Sequence, residues 1–269
     1  MGIINVTHDS FFSASRAPDP ALVRNVAERM VEEGAAILDV GGESSRPGSD
    51  YVSLQEELDR VVPAVREIRS VCPDVDISVD TRKSGVAAAA LDAGATMIND
   101  ISGLRDDPDL ARVVAERGVP VCLMHMRGTP RTMQDKPRYD DLLGEIRSEL
   151  FFSVDRALDA GIRAERIILD PGIGFGKTFD HNWHVLRELA TVVSWGYSVL
   201  VGLSRKSFLG APEHGDAARS LPPEERLHAT LAAQIWCTLQ GVSILRVHDV
   251  RPMVEAIRVF ERLINVPRA

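Results

Sequence analysis

Carboxylate and amide side chains follow several short apolar segments of this chain. Asp80, Asn99, Asp100 and Asp170 each lie at the end of such a segment. A buried carboxylate is tolerated only when it is paired or hydrogen-bonded. If the segments are parallel strands, these side chains meet at one edge of the sheet. A suitable partner for a carboxylate there is a flat heterocycle, such as a guanine or pterin ring, which presents two parallel N–H donors. We predict this role for Asp80 and Asp170, whereas for Asp100 helix capping is an equally good interpretation.

Cations occupy the same type of position. Arg46, Lys206, Arg246 and His248 all lie where an apolar segment passes into the next loop or helix. Because side chains alternate along a strand, Arg246 and His248 face the same way. Cations that converge beside carboxylates indicate a substrate with an anionic group. Diphosphate is the obvious candidate, because a guanidinium group contacts its oxygens in pairs.

The segment 170–177 is rich in glycine, as phosphate-binding loops are. It lacks the spacing of a nucleotide-binding P-loop, so it is a weak nucleotide signature. Its glycines more simply let the backbone approach a flat ligand, with Phe175 as an apolar contact.

Asn5 ends the first apolar segment, and its side-chain oxygen is a suitable ligand for Mg²⁺. A turn-forming asparagine is the alternative interpretation. For His125 we favour a hydrogen-bonded core histidine over a functional one. No serine or cysteine lies beside a base in a pattern typical of nucleophilic catalysis.

Eight short apolar segments position these residues, and a helical pattern follows each of them. The segments span residues 2–6, 37–40, 77–80, 97–100, 121–125, 167–170, 199–204 and 244–248. The helical patterns span 20–33, a stretch opening at Ser53, 83–93, 108–117, 140–160, 181–195, 224–240 and 252–263. Such short apolar runs are typical of parallel strands buried on both faces. We predict an α/β fold, a (β/α)8 TIM barrel forming a single domain over residues 1–269, with its site at the carboxyl ends of the strands. The long loops 7–19, 41–52, 126–138 and 210–223 lie on that face and are candidate lids.

Composition excludes several classes of protein. The 31 basic and 39 acidic residues give a net charge of −8, which argues against a nucleic-acid partner. Cys72, Cys122 and Cys237 are far apart, which argues against disulfides and a zinc cluster and predicts a cytoplasmic protein. No apolar run approaches the roughly 18 residues that a membrane span needs, so we expect no membrane partner.

Taken together, these motifs resemble the dihydropteroate synthase family along essentially the whole chain. The matching motifs lie at residues 1–11, 41–48, 78–83, 99–101, 124–130, 170–177, 204–207 and 246–250. The resemblance implies a folate-pathway transferase that joins 6-hydroxymethyl-7,8-dihydropterin diphosphate to 4-aminobenzoate, forming 7,8-dihydropteroate and releasing diphosphate. It also implies Mg²⁺ as a cofactor and a homodimer formed through the last helices.

The resemblance further implies roles for individual residues. The implied residues are Asp80, Asn99, Asp170 and Lys206 for the pterin; Asn5, Arg46, Arg246 and His248 for the diphosphate and its Mg²⁺; and Ser45, Arg46, Pro47, Phe175 and Ser207 for the aminobenzoate. Among them, Asp80, Lys206 and Arg246 are expected to act in catalysis, and Asn5 is the expected metal ligand.

The first long loop departs from the family pattern. His8 stands where proline is common, Ser13-Ala14-Ser15 replaces an Asp-Gly-Gly run, and Phe11-Phe12 adds apolar bulk. Because fewer glycines restrict the backbone, we expect altered discrimination between aminobenzoate and sulfonamides without loss of catalysis. Ser45, where threonine is common, keeps the hydroxyl group.

Two other functions compete with this interpretation. A pterin-binding methyltransferase domain, which passes a methyl group from methyltetrahydrofolate to a corrinoid protein, needs no diphosphate cations, so residues 204–206 and 246–248 argue against it. A catalytically silent paralogue that binds pterin or a partner chain is compatible with the altered first loop. The presence of five expected site residues argues against it; these are Asn5, Asp80, Asp170, Lys206 and Arg246.

Overall fold

The computed structural model describes residues 1–7, 19–211 and 220–265. Its strands, numbered in chain order, are β1 (Gly2–Asn5), β2 (Ile37–Gly41), β3 (Asp76–Asp80), β4 (Met97–Asp100), β5 (Val121–Met124), β6 (Ile167–Asp170), β7 (Ser198–Val201) and β8 (Ile244–Leu245). They form one parallel sheet in sequence order, and each strand pairs with the next. This confirms the predicted α/β class and strand order. The first loop's distinctive residues, His8, Phe11-Phe12 and Ser13-Ala14-Ser15, lie outside the described residues.

The two ends of the sheet approach each other. The Ile3 amide donates to the Val247 carbonyl at 2.9 Å, and the Val247 amide donates to the Met1 carbonyl at 2.9 Å. Val247 follows β8 and makes a parallel bridge with Gly2 of β1. The sheet is therefore curled, so that one of its faces is the inner surface.

Helices alternate with the strands on the outer side. They are α1 (Pro20–Glu32), α2 (Leu54–Val71), α3 (Ser84–Asp92), α4 (Asp109–Arg117), α5 (Leu142–Asp159), α6 (Phe179–Arg187), α7 (Leu189–Val193), α8 (Leu227–Leu239) and α9 (Val250–Ile264). The predicted helix 181–195 is in fact two helices that meet at Glu188, which has non-helical backbone angles. The last helix begins at Val250 rather than at Pro252, because proline is tolerated within a first turn.

Side-chain alternation divides the strands between two environments. Outward residues such as Val40, Val79 and Ile98 join the core between sheet and helices. The inner face carries a separate apolar layer, which consists of Met97, Cys122, Ile168 and Leu200 with Met1 and Ile244 packed against it. Two residues further along the chain from Met97, Ile168 and Ile244, the same parity brings the polar side chains Asn99, Asp170 and Arg246 to the inner face, whereas β5 contributes Met124. The fold thus places a polar layer directly above an apolar floor.

Within the described residues, no helix combines the length and apolar character needed to cross a bilayer.

Candidate active site

The centre of the inner face is a guanidinium group shared between two carboxylates. Arg246 donates from Nε to Asp39 Oδ2 at 2.6 Å and from Nη2 to Asp80 Oδ2 at 3.0 Å. The Asn99 side-chain amide donates to the same Asp39 oxygen at 3.3 Å. These four residues therefore form a single network. Three of them, Asp80, Asn99 and Arg246, are predicted site residues.

Burial and charge oppose each other in this network. Burial raises the pKa of Asp80 to about 7; the Arg246 charge works against this rise and the Asp39 charge adds to it. Burial alone would lower the pKa of Arg246, but Asp39 and Asp80 reverse that and raise it above its usual value. At neutral pH the site thus holds a fixed cation beside a carboxyl group that is poised to lose its proton.

Asp39 was missed as a site residue by the sequence analysis, which treated 37–40 only as a strand. The side chain is fully buried, and its Oδ1 has no hydrogen-bond partner among the described residues. A usable signal was present, since Asp39 is a charged residue between Leu38 and Val40 in an otherwise apolar run. A charge at that position is costly unless a cation or a ligand meets it.

Asp100 shows the opposite parity, and it stabilises the turn that follows β4. Its carboxylate accepts the Ser102 amide at 2.7 Å and the Leu104 amide at 2.6 Å. Its neighbour Asn99 faces the inner layer, so Asp100 faces away from it. Helix capping, one of the two interpretations left open for Asp100, is not what the structure shows, because the next helix begins only at Asp109. Asp100 instead stabilises the turn that follows β4.

Asp170 and Lys206 form a second polar group on the inner face. Asp170 Oδ1 accepts the Gly172 amide at 2.7 Å, while Lys206 Nζ donates to the Ile173 carbonyl and lies 4.5 Å from the Phe175 ring centroid. Burial lowers the pKa of Lys206 to about 8, although the Asp170 charge opposes this, and the Arg246 charge adds to the lowering. Burial raises the pKa of Asp170, against the charges of Lys206, Lys177 and Arg246. These mutual effects link this group electrostatically to the Arg246 network.

The glycine loop, residues 171–177, presents its carbonyl oxygens to side-chain donors. The pairs are Lys177 with Gly172 at 3.0 Å and Phe175 at 3.2 Å, Lys206 with Ile173, Gln134 with Gly174 at 2.9 Å, and Tyr139 with Gly176 at 2.8 Å. The Gly174 amide is also used, since it donates to Asn182 Oδ1 at 2.7 Å. A phosphate loop must instead point free amide groups at its ligand. The weak nucleotide signature is therefore not a phosphate site.

Lys177, which donates to two carbonyl groups of this loop, also contacts His125. Lys177 Nζ lies 2.8 Å from His125 Nδ1, and His125 Nε2 lies 3.1 Å from Glu149 Oε2. Burial lowers the pKa of Lys177 to about 7 and the pKa of His125 to about 4, and the Lys177 charge helps to lower the latter. His125 is thus a neutral, hydrogen-bonded core histidine, as predicted. Lys177 was considered in the sequence only as part of a failed P-loop pattern, and its structural role was missed.

Asn5 lies close to Asp80 across Gly41 of the intervening strand. A Cβ atom built on Gly41 would lie 3.9 Å from Asn5 Oδ1 and 3.9 Å from Asp80 Oδ2. Oxygen atoms from β1 and β3 therefore approach the same open stretch of backbone. The described residues contain no cluster of three or more His, Cys, Asp or Glu side chains suited to a metal ion.

His248 and the loop 41–52, called here the β2 loop, complete the face. His248 Nδ1 lies 2.9 Å from Ser204 Oγ. Burial lowers the pKa of His248 to about 4, and the charges of Arg246, Arg205 and Arg46 add to this lowering. Arg46 is exposed at the tip of the β2 loop, beside the exposed Pro47 and the half-buried Ser45.

The five residues expected around the aminobenzoate lie on three separate loops. Ser45, Arg46 and Pro47 belong to the β2 loop, Phe175 to the glycine loop and Ser207 to the short 3-10 helix Ser207–Gly210. No hydrogen bond joins the β2 loop to Phe175 or Ser207 among the described residues. A small pocket does connect the β2 loop to Asp80; its lining includes Glu43, Ser44, Ser45, Thr81, Ile101 and Pro130.

Comparison with known proteins agrees with this arrangement. Residues 1–248 match the family model described as pterin binding enzyme. The chain is 43% identical to the dihydropteroate synthase of Escherichia coli (strain K12) over 265 residues, covering 98% of this chain and 91% of that protein. It is 42% identical to the Bacillus subtilis (strain 168) dihydropteroate synthase over 267 residues, covering 98% and 88%.

Solved structures agree as well. The Yersinia pestis dihydropteroate synthase, solved as a sulfonamide drug complex, superposes with a TM-score of 0.90 at 41% identity, covering 98% of this chain and 94% of that one. The Xanthomonas albilineans dihydropteroate synthase with 4-aminobenzoic acid gives a TM-score of 0.89 at 40% identity, covering 99% and 93%. With its acids, amide and cations gathered on one inner face, this chain belongs to the pterin-binding enzyme family and, within it, to the dihydropteroate synthases.

Proposed function

We propose that the inner face of the sheet catalyses the dihydropteroate synthase reaction by a dissociative displacement. The reaction joins 6-hydroxymethyl-7,8-dihydropterin diphosphate to 4-aminobenzoate and yields 7,8-dihydropteroate and diphosphate, a step of folate biosynthesis. The observation that carries the mechanism is the Arg246 guanidinium between Asp39 and Asp80, because it puts a fixed cation and an ionisable carboxyl group side by side.

The pterin is assigned to the buried polar layer. Asp80, Asn99, Asp170 and Lys206 supply acceptors and donors above the apolar floor, which suits a flat ring with a polar edge. The Lys206 ammonium, close to the Phe175 face and to the Ile173 carbonyl, is available to exchange its backbone partner for a ring atom of the substrate.

The diphosphate is assigned to Arg46, Arg246, His248 and Asn5. Arg246 keeps its charge at all relevant pH values because two carboxylates raise its pKa. Asn5 would hold Mg²⁺, which keeps several waters and needs few protein ligands when substrate phosphate oxygens complete its shell. The closeness of Asn5 Oδ1 and Asp80 Oδ2 around Gly41 fits such a site. The metal would supply neutralisation of the phosphate charge.

The aminobenzoate is assigned to the outer mouth of the site, between Ser45, Arg46 and Pro47 on one side and Phe175 and Ser207 on the other. Arg46 is the one cation in this set, and it suits the carboxylate of the substrate. Phe175, on a loop held by its carbonyl oxygens, offers an apolar face to the aromatic ring.

The chemical step breaks the bond between the pterin methylene carbon and the diphosphate oxygen, and the electron pair leaves with the diphosphate. Arg246 stabilises the charge that develops on the leaving group. Ionised Asp80 favours the cation-like methylene that remains. The arylamine nitrogen then forms the new bond to the methylene carbon and releases its proton to solvent. An arylamine is nucleophilic without a strong base, so the reaction does not need a histidine base. Of the described histidines, His125 contacts Lys177 and His248 contacts Ser204.

We further propose the assembly in which the site works: a complete (β/α)8 barrel, forming one domain over residues 1–269, in a cytoplasmic homodimer. The hydrogen bonds between Ile3, Val247 and Met1 support closure of the barrel. Three buried free cysteines suit a reducing compartment. Exposed apolar side chains on α8 and α9 support the dimer; they are Trp236, Leu239, Val259, Leu263 and Ile264. Light scattering on a Leu263→Glu variant tests the dimer, which this change should dissociate.

Turnover of purified protein with dihydropterin diphosphate, 4-aminobenzoate and Mg²⁺ tests the function. We expect dihydropteroate and diphosphate in equal amounts, loss of both in Lys206→Ala, and loss when a chelator removes Mg²⁺. Arg163→Ala, an exposed cation at the opposite end of β6, is the matched control and should leave turnover intact. Tight pterin binding without product would favour a silent binder, and methyl transfer from methyltetrahydrofolate to a corrinoid protein would favour the methyltransferase.

A further inference from the structure

A cluster of charged side chains borders the proposed site, and three of its members, Glu43, Glu57 and Arg82, line the small pocket that reaches Asp80. Glu57 is fully buried, and Arg82 and Lys83 are each less than 9% exposed. Glu43 is nearly as well covered, with 11% of its side chain exposed. Charges this deep are tolerated only when they are paired. The cluster joins α2 to the loops that follow β2 and β3.

Glu43 is the member that bridges the two cations. Its Oε1 accepts Arg82 Nη2 at 2.5 Å, and its Oε2 accepts Lys83 Nζ at 2.6 Å. Each cation also has a second carboxylate partner: Arg82 pairs with Asp106 at 2.5 Å, and Lys83 pairs with Glu57. Arg82 and Lys83 are therefore each paired with two carboxylates, and the one they share, Glu43, lies on the β2 loop.

The β2 loop is fixed to the same cations at its other end. The Tyr51 ring centroid lies 4.3 Å from Lys83 Nζ and 5.7 Å from the Arg82 guanidinium carbon. Between Glu43 and Tyr51 the chain makes a compact turn, in which Ser49 Oγ donates to the Ser44 carbonyl at 2.5 Å and the Ser49 amide donates to the Arg46 carbonyl at 3.1 Å. The turn carries Ser45, Arg46 and Pro47 at its tip.

We propose that Glu43 is a positioning residue that sets the affinity for the aromatic amine substrate. The carboxylate fixes the base of the β2 loop two residues before Ser45. One residue after Pro47, the Gly48 amide donates to the Pro130 carbonyl at 3.0 Å, so the tip lies between these two attachments. This inference rests on the proposed function, because it takes the tip of the β2 loop as one wall of the aminobenzoate site. The proposed pterin residues lie on the strands and the glycine loop. Among the described residues no hydrogen bond joins Glu43 to them, although Glu43 and Asp80 line the same small pocket.

The neighbouring contacts make this role separable from folding. In Glu43→Gln the cations keep Asp106 and Glu57, so neither is left unpaired. The end of β2 stays in place, since Arg60 Nη1 donates to the Gly42 carbonyl at 2.8 Å. The glutamine has nearly the same shape as glutamate, and it can accept from only one of the two cations with its single oxygen. The variant therefore loosens the base of the loop and leaves the core unchanged.

Steady-state kinetics with both substrates varied provides the test. For Glu43→Gln we expect the KM for 4-aminobenzoate to rise about tenfold, or about 1.4 kcal/mol, with the KM for dihydropterin diphosphate changing less than about twofold. Glu43→Asp keeps the charge and should recover part of the loss. The matched control is Asp106→Asn, which removes the other carboxylate from Arg82 without touching the β2 loop and should leave both KM values near those of the parent.

Three results would overturn the proposal. An unchanged KM for 4-aminobenzoate in Glu43→Gln would exclude a positioning role. A lower melting temperature and fewer active molecules with both KM values unchanged would indicate a merely structural ion pair. An equal effect of Asp106→Asn would assign the role to Arg82 alone. Failure of the proposed function is distinct from all three, because the parent protein would then form no dihydropteroate.

Discussion

Arg246 and Lys177 are both largely buried cations close to the same site, yet their pKa values move in opposite directions. The pKa of Arg246 rises above its usual value, whereas that of Lys177 falls to about 7. Burial disfavours the charge in both cases. The difference lies in the atoms that each cation touches.

Arg246 donates directly to two carboxylates, Asp39 and Asp80. Within the part of the chain that the structure describes, Lys177 donates only to neutral acceptors, namely an imidazole nitrogen and two carbonyl oxygens. The Asp170 and Glu149 charges act on it at longer range. The comparison teaches that direct ionic contact decides the charge of a buried cation here. Arg246 is therefore suited to stabilising charge during reaction. Lys177 keeps hydrogen-bond donors in either protonation state, so it is suited to holding a loop.

Breaking the charged centre should have the largest effect. Arg246→Leu leaves Asp39 and Asp80 together without their cation, and breaking a buried pair in this way costs about 3–5 kcal/mol. We expect kcat/KM to fall by at least about 100-fold, as when one transition-state donor is removed. The pH profile of any residual kcat/KM should move to higher pH, because Arg246 holds down the pKa of Asp80.

Arg246→Lys is the matched control for that variant. It keeps one positive charge but loses the fork that reaches two carboxylates. We expect intermediate activity, with the pH profile closer to that of the parent. Equal activity of the leucine and lysine variants would contradict the importance of the charge and leave only the fork geometry as the cause.

Removing the contacts of Lys177 with its neutral acceptors should lower stability more than catalytic activity. Lys177→Met removes the donor from the Gly172 and Phe175 carbonyls and from His125 Nδ1. Buried polar groups left without partners cost about 1–3 kcal/mol each, so we expect the free energy of unfolding, measured in urea, to fall by about 3 kcal/mol. Gln134→Ala removes one exposed partner of the glycine loop and should cost less than about 0.5 kcal/mol.

The same variant sharpens the comparison through its pH dependence. Between about pH 7 and the usual lysine value of 10.5, the unfolded chain holds a proton at Lys177 that the folded protein has lost. Folding stability contributed by Lys177 therefore rises with pH across this window, by up to about 1.4 kcal/mol per pH unit. The stability difference between parent and Lys177→Met should widen from pH 7 to pH 9. A difference that is constant with pH would mean that Lys177 stays charged.

The sequence predicted those parts of the site that follow from strand ends. Asp80, Asn99, Asp170 and Arg246 end or follow apolar runs, and a parallel sheet brings the carboxyl ends of its strands to one edge. The order of the eight strands followed from the recurrence of strand and helix. The predicted β8 was too long, because the structure pairs only Ile244–Leu245 before the chain turns toward β1.

The contacts that sequence reasoning missed are long-range. Gln134 and Tyr139 donate hydrogen bonds to carbonyl groups of the glycine loop from more than 30 residues away in the chain. No local sequence pattern marks these two residues. Lys177 was considered only as the lysine of a P-loop pattern, so its contact with His125 was not predicted. Glu43 pairs with Lys83 across 40 positions. Such contacts depend on loop geometry, which period-two and helical patterns do not determine.

The smallest predicted effect concerns Asp39, which shares Arg246 with Asp80. The Asp39 charge raises the pKa of Asp80, so Asp39→Asn should lower it and let Arg246 act on Asp80 alone. The asparagine oxygen still accepts from Arg246 Nε, which preserves the orientation of the guanidinium. We expect the acid limb of kcat/KM, near pH 7 in the parent, to move to lower pH by less than about one unit, the usual range for one neighbouring charge. A shift to higher pH would mean that Asp39 acts mainly by holding Arg246 against Asp80, in which case the network is a positioning device before it is an electrostatic one.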